Sequence, residues 1–115
     1  MKPDCLFCKI AGGQLQADIV YEDDDVVAFK DVNPQAPVHI LIIPRRHIPA
    51  IAELEEADGS LVGKLVVTAK KLAATMGLND KGFRLVFNNG FNAGQEVFHI
   101  HLHLLGGRKF IWPPG

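Results

Sequence analysis

No stretch of this chain is apolar for long enough to cross a membrane, and no segment repeats or falls into low complexity. Neither sign of charge dominates: 12 Lys and Arg against 13 Asp and Glu leave a formal net charge of −1. That balance gives no general attraction to nucleic acid. Cysteine is scarce, two residues in 115, so a disulfide-stapled scaffold is excluded and a single core must hold the fold. The hydrophobic content of 48% fits such a core and argues against disorder. One domain, residues 1–115, is expected. The start, Met1-Lys2-Pro3-Asp4-Cys5, puts an acidic residue and the cysteines where a secretory leader would carry its apolar stretch. The expected location is the cytoplasm, with neither membrane nor nucleic acid as partner.

The two cysteines form Cys5-Leu6-Phe7-Cys8. A disulfide is disfavoured in a reducing compartment. A thioredoxin-like redox pair follows a strand and opens a helix, a setting this position does not offer. A zinc half-site remains, two thiolates in need of two further ligands. His47 and His99 are the candidates, each next to an expected strand.

Residues 19–22 and 26–32 read as short strands joined by Asp23-Asp24-Asp25, a solvated hairpin turn. Asn33-Pro34-Gln35-Ala36-Pro37 cannot continue a strand, because two prolines remove ladder donors. Residues 38–44 are apolar on both sides apart from His39, as in an interior strand. A short helix is expected over 47–54 and a longer one with Ser60 as its N-cap. Along the longer helix Leu61, Leu65, Ala69, Leu72, Ala73 and Met76 recur at helical spacing, and Gly77 suits the cap that ends it. Phe83, Leu85 and Phe87 alternate in a further strand. Strands that cluster around one long helix give an α+β class with a mainly antiparallel sheet. The tail Ile111-Trp112-Pro113-Pro114-Gly115 carries the only Trp. It is either inert or a surface that docks on a partner.

Three of the five histidines alternate with apolar residues in His99-Ile100-His101-Leu102-His103-Leu104-Leu105. In an extended strand side chains alternate between faces. The three imidazoles are thus expected to share one face, with Ile100, Leu102 and Leu104 on the other. Same-face neighbours lie roughly 6.6 Å apart and the outer pair roughly 13 Å. Zinc draws its nitrogens to about 2.0–2.1 Å. The outer two therefore cannot meet on one ion without breaking the strand, although one of the three can be a ligand with residues from elsewhere. A row of imidazoles better suits an elongated, charged group such as a phosphoryl group with its leaving group. The preceding Asn92-Ala93-Gly94-Gln95-Glu96-Val97 can offer backbone N–H groups to an anion. His101, with an imidazole on each side, is the natural nucleophile.

The row resembles the histidine-triad signature. Phe29-Lys30-Asp31-Val32-Asn33-Pro34-Gln35-Ala36-Pro37-Val38-His39, Ile43-Pro44-Arg45-Arg46-His47-Ile48, Gly94-Gln95, Gly106-Gly107-Arg108 and Trp112-Pro113-Pro114-Gly115 extend the likeness over nearly the whole chain. They resemble the histidine-triad nucleotide-binding branch. The resemblance implies a five-stranded antiparallel sheet with one long and one short helix, paired as a homodimer. The implied activity is hydrolysis of a purine nucleoside 5′-phosphoramidate. His101 would attack the α-phosphorus, an amine would leave, and water would release AMP or GMP from a nucleotidyl-His101 intermediate. His103 would contact a non-bridging oxygen, the His99 carbonyl would orient the His101 ring, and His39 would complete the relay. Asp31 would take the ribose hydroxyls. Leu6, Phe7, Ile10, Phe29, Val32 and Leu41 would surround base and sugar, with Asn88, Gly94, Gln95, Glu96 and Val97 on the phosphate side. Catalysis would need no cofactor.

Two features depart from many relatives. Glu96 stands where close relatives often carry Ser. A carboxylate there repels phosphate unless it is protonated or faces the leaving amine. Glu96 is therefore expected either to favour cationic amines or to slow the reaction, and Glu96→Ser to alter the preference between lysine-like and neutral leaving groups. The Cys5–Cys8 pair is absent from some relatives. In those that keep it, zinc is bound by two cysteines and two histidines, here Cys5, Cys8, His47 and His99, as a structural ion. The alternatives are a dinucleoside polyphosphate hydrolase and a nucleotide-binding regulatory dimer. A small zinc-stabilised structural domain would leave the histidine row unexplained.

Overall fold

Alternation along three strands builds a sheet that is apolar on both sides. The computed structural model describes residues 4–115; the part of the leader reading that falls on Met1, Lys2 and Pro3 lies outside the described residues. The strands are β1 (Ile19–Glu22), β2 (Val26–Lys30), β3 (Val38–Pro44), β4 (Phe83–Val86) and β5 (Leu102–Gly106). Their order is β1-β2-β3-β5-β4, and every neighbouring pair is antiparallel. Val26, Ala28, Ile40, Ile42, Leu102 and Leu104 share one face with the buried stripe of helix α2 (Gly59–Thr75). Val27, Phe29, Leu41 and Ile43 share the other with Phe7, Ile10 and Ala11 of helix α1 (Leu6–Ala11). Cover on both faces explains why β2 and β3 read as nearly unbroken apolar runs. No helix among the described residues is long and apolar enough to cross a membrane.

Several boundaries differ from expectation. The short helix is α1, not residues 47–54. Cys5 is its N-cap, its Sγ accepting the Cys8 N–H at 3.4 Å. Residues 47–54 hold only a 3₁₀ turn at Ile51–Glu53, between extended Ala50 and Leu54, with Pro49 just ahead to withhold a donor. Ser60 lies inside α2, which starts at Gly59 with Asp58 as its N-cap. The 3₁₀ turn Glu56–Asp58 runs straight into the helix and is closed by a reciprocal Glu55–Asp58 capping box. At the other end Gly77 (φ 73°) accepts the left-handed conformation that terminates α2. β2 stops at Lys30 rather than 32, because Asp31 Oδ1 turns back to accept the Asn33 N–H at 2.8 Å. β4 stops at Val86, one residue short of Phe87.

The acidic turn is more than solvated. Asp23 Oδ1 accepts the N–H groups of Asp25 and Val26 at 2.8 and 2.9 Å. Lys64 of α2 reaches Asp23 and Asp25 at 3.2 and 2.8 Å.

Candidate active site and an adjoining cysteine–histidine cluster

β5 starts only at Leu102, so His103 is the one histidine of the row inside the ladder. His99 and His101 lie ahead of it. The segment leading in to them is laced instead onto residues 44–49. Ile100 N–H donates to the Ile48 carbonyl at 2.8 Å, His99 Nε2 to the Pro44 carbonyl at 2.7 Å, and Gln95 Nε2 to the Pro49 carbonyl at 2.9 Å.

His101 Nδ1 sits 2.9 Å from the His99 carbonyl oxygen. A carbonyl only accepts, so Nδ1 carries the proton and the neutral ring keeps its lone pair on Nε2. The ring is buried. It is flanked edge-on by Phe7 at 5.1 Å and by His103 at 5.0 Å between ring centroids. The same reasoning fixes its neighbours. His39 Nδ1 accepts the Gln35 N–H at 3.0 Å, so its proton is on Nε2, which lies 2.8 Å from His103 Nδ1 and 3.4 Å from Asp31 Oδ2. His103 therefore accepts at Nδ1 and is left with an Nε2–H donor. Burial pushes His103 down to about 4, helped by the His101 and His39 rings and opposed by Asp31. Burial also lowers His39, against Asp31. Both rings are then neutral near pH 7, as the chain of hydrogen bonds requires.

Asp31, His39 and His103 bring their ligand atoms within 4.8 Å of one another. Metal on His39 Nε2 would require the proton on Nδ1, facing the Gln35 N–H. This donor set fits a hydrogen-bond relay and not a metal.

The ring of His99 has a different destination from that of His101. It is fully buried, and with Nε2–H donated to Pro44 its Nδ1 lone pair faces the Sγ atoms of Cys5 and Cys8, each at 3.5 Å. His47 Nδ1 lies 3.3 Å from Cys8 Sγ, and all four ligand atoms fall within 4.8 Å of one another. A tetrahedral zinc with sulfur at about 2.3 Å and nitrogen at about 2.0–2.1 Å has S–N edges of about 3.6 Å. The residues fit the ion: spacing, donor types and count agree. Burial pushes His99 down to about 4, leaving the neutral imidazole that a ligand must be. Four protein donors leave no open position, so an ion here would cross-link α1 to residues 47 and 99 and supply no reaction chemistry.

The other expected site residues fall into two groups. Phe7 and Ile10 of α1 are buried together with Phe29 and Leu41 of the sheet, and Val97 packs against them. Leu6 is half-exposed beside them, but Val32 is wholly in solvent, pointing its apolar side chain at no core cluster. On the phosphate side Asn88 is half-buried two residues past β4, and Gly94 adopts φ 83°. Gln95 is buried, and its amide ties the loop together: Oε1 accepts the Gly90 N–H at 2.8 Å, and Nε2 also donates to the Val97 carbonyl at 3.1 Å. Glu96 is exposed and lines a cavity of ≈ 490 Å³ with Asp4, Leu6, Pro49 and Phe98. Sequence reasoning missed the Gln35 N–H that sets the His39 tautomer and the carbonyls of Pro44, Ile48 and Pro49 that hold the lead-in. All are main-chain groups, which residue type does not reveal.

Residues 12–110 match the family model of the HIT domain. The chain belongs to the HIT family. It is 54% identical, over the full length of both chains, to an uncharacterized HIT-like protein of Synechocystis. Among solved structures it is similar to a HIT family hydrolase from Legionella pneumophila (TM-score 0.96, 54% identity, 97% of this chain and 100% of that one). It is also similar to a histidine triad nucleotide-binding protein from Candida albicans (TM-score 0.82, 29% identity, 96% of this chain and 83% of that one).

Proposed function

We propose that this HIT protein hydrolyses the P–N bond of purine nucleoside 5′-phosphoramidates through a nucleotidyl-His101 intermediate. The observation that carries the reading is the His101–His99 carbonyl bond of 2.9 Å, which keeps the proton on Nδ1 and the lone pair of the neutral ring on Nε2. Nε2 attacks the α-phosphorus and the P–N bond breaks. The nitrogen leaves as an amine after taking up a proton, and water then hydrolyses the P–Nε2 bond to give AMP or GMP. The Nε2–H of His103 donates to a non-bridging oxygen, where negative charge builds up. His39 fixes the His103 tautomer that makes this donor available. Asp31 accepts the ribose hydroxyls, and the apolar cluster of Phe7, Ile10, Phe29 and Leu41 floors the base and sugar pocket. Glu96, exposed at the rim, favours a cationic leaving amine.

The names of the Legionella and Candida proteins support hydrolase chemistry and nucleotide binding respectively. We further propose that the Cys5, Cys8, His47 and His99 cluster holds structural zinc, and that the protein works as a cytoplasmic homodimer. Apolar Ile111 and Trp112, largely exposed, and the free edge of β4 support association with a second copy.

His101→Ala is expected to lower kcat on adenosine 5′-phosphoramidate by orders of magnitude while nucleotide affinity stays within a few-fold, because the loss is of the nucleophile alone. Quenching without acid followed by intact-mass measurement should find a nucleotidyl adduct on the wild type and none on the variant. Turnover that survives the substitution would refute the reading. Faster turnover of a diadenosine polyphosphate than of the phosphoramidate would favour the polyphosphate hydrolase.

A further inference from the structure

His99 belongs to two constellations at once. Its ring closes the cysteine–histidine cluster through Nδ1, and its main-chain carbonyl takes the proton of His101 Nδ1 at 2.9 Å. We propose that the zinc-loaded cluster is a positioning device for the nucleophile, aiming the His101 ring, rather than only a staple of the fold.

Three observations carry this. First, His101 lies one residue ahead of β5, at the end of the ladder rather than inside it. The preceding residues are held by the bonds to Ile48, Pro44 and Pro49 and by the cluster itself, to which His47 belongs. Second, a metal at Nδ1 together with the 2.7 Å bond from Nε2–H to Pro44 would hold the His99 ring at both nitrogens. The carbonyl of the same residue then has little freedom to swing. Third, Phe7 lies between the two cysteines in sequence and touches both rings, at 6.0 Å from His99 and 5.1 Å from His101 between centroids. Holding both thiolates would fix the short segment that carries Phe7, and with it one wall of the His101 ring.

The chemical consequence is a tautomer choice. With the His99 carbonyl in place the His101 proton stays on Nδ1 and Nε2 can attack. If the carbonyl drifts, the proton can move to Nε2, and that form has no lone pair where the phosphorus arrives. The cluster residues Cys5, Cys8 and His47 would thus govern reactivity without touching substrate.

The test uses the full chain labelled with ¹⁵N at histidine. Long-range ¹H–¹⁵N spectra report the His101 tautomer in three samples: zinc-loaded wild type, chelator-treated wild type and His47→Ala. Single-turnover nucleotidylation by adenosine 5′-phosphoramidate is timed in each. The loaded protein should show the Nδ1–H form alone. The metal-free protein and His47→Ala should keep a folded amide spectrum, show a mixture of tautomers and be nucleotidylated about tenfold more slowly. Added zinc should reverse both changes in the wild type. An unchanged tautomer and a rate within about twofold in folded, metal-free protein would overturn the proposal. So would loss of the whole amide dispersion on chelation, or failure of the purified chain to bind stoichiometric zinc. Only the rate measurement rests on the phosphoramidase reading. A tautomer shift with no nucleotidylation in any sample would sink that reading and support the positioning role.

Discussion

Gln95 binds at both ends of its amide. Its oxygen takes the Gly90 N–H and its nitrogen gives to the carbonyls of Pro49 and Val97, so one buried side chain ties the anion-side loop to the segment that follows β3. Gln95→Ala strands three polar groups at once. The expected cost is about 1–3 kcal/mol, read as a lower urea midpoint at constant m, together with a raised KM as the loop loses its shape. A KM equal to that of the wild type would mean that the loop does not contact substrate. At this scale the sequence was informative about side chains with distinctive chemistry. His101, His103, His39 and Asp31 meet as expected, and so do Cys5, Cys8, His47 and His99. Val32, which the resemblance sets beside base and sugar, stands in solvent, an exposure that residue type does not reveal.

Among the elements, β5 and the proline-containing loop 33–37 meet through a missing side chain. Gly107 has φ 90°, and a Cβ there would come within 2.8 Å of Pro37 Cβ. Gly13, at φ 76°, would meet nothing within 4 Å. Both alanine variants carry the left-handed backbone penalty of about 1–2 kcal/mol, but only Gly107→Ala should also displace the loop 33–37, whose Gln35 N–H holds His39 Nδ1. Thermal melts should rank Gly107→Ala below Gly13→Ala, and Gly107→Ala alone should weaken nucleotide binding by isothermal titration. Equal affinities would disprove the coupling. The regular elements were legible where a period repeats. α2 shows its stripe and its closing glycine, and β1 and β3 were bounded correctly. Legibility failed where a side chain overrides the period. The row 99–104 alternates without a break, yet the ring of His99 is drawn to the sulfurs and to Pro44, and the ladder begins only at Leu102. α1 was hidden because its six residues are too few for a helical period and its cysteines invite a different reading.

For the molecule as a whole, burial of neutral imidazoles ties stability to pH. His103 is faced by His39, His101 and Asp31 and titrates near 4 when folded, against about 6.5 when unfolded. The unfolded chain binds its proton first as the pH drops. The stability due to the neutral ring is therefore complete above about 6.5 and is lost on acidification toward 4. Urea midpoints measured from pH 7 to 4.5 should fall for the wild type and fall less steeply for His103→Asn. The difference should approach one proton, or about 1.4 kcal/mol per pH unit at most. Parallel slopes would show that this ring is not the group concerned.

Gln35 lies on an exposed loop, yet both of its main-chain groups are engaged. The N–H serves His39 at 3.0 Å, and the C=O takes Arg108 Nε at 2.9 Å. Surface amides usually trade their hydrogens with solvent quickly. This one should retain deuterium-free signal as long as amides of the central strands, and Arg108→Ala should hasten its exchange. A single slow peak from an otherwise fast-exchanging surface would then give a solution-state clock for whether the hydrogen-bond chain through His39 and His103 is intact, in samples that contain no substrate at all.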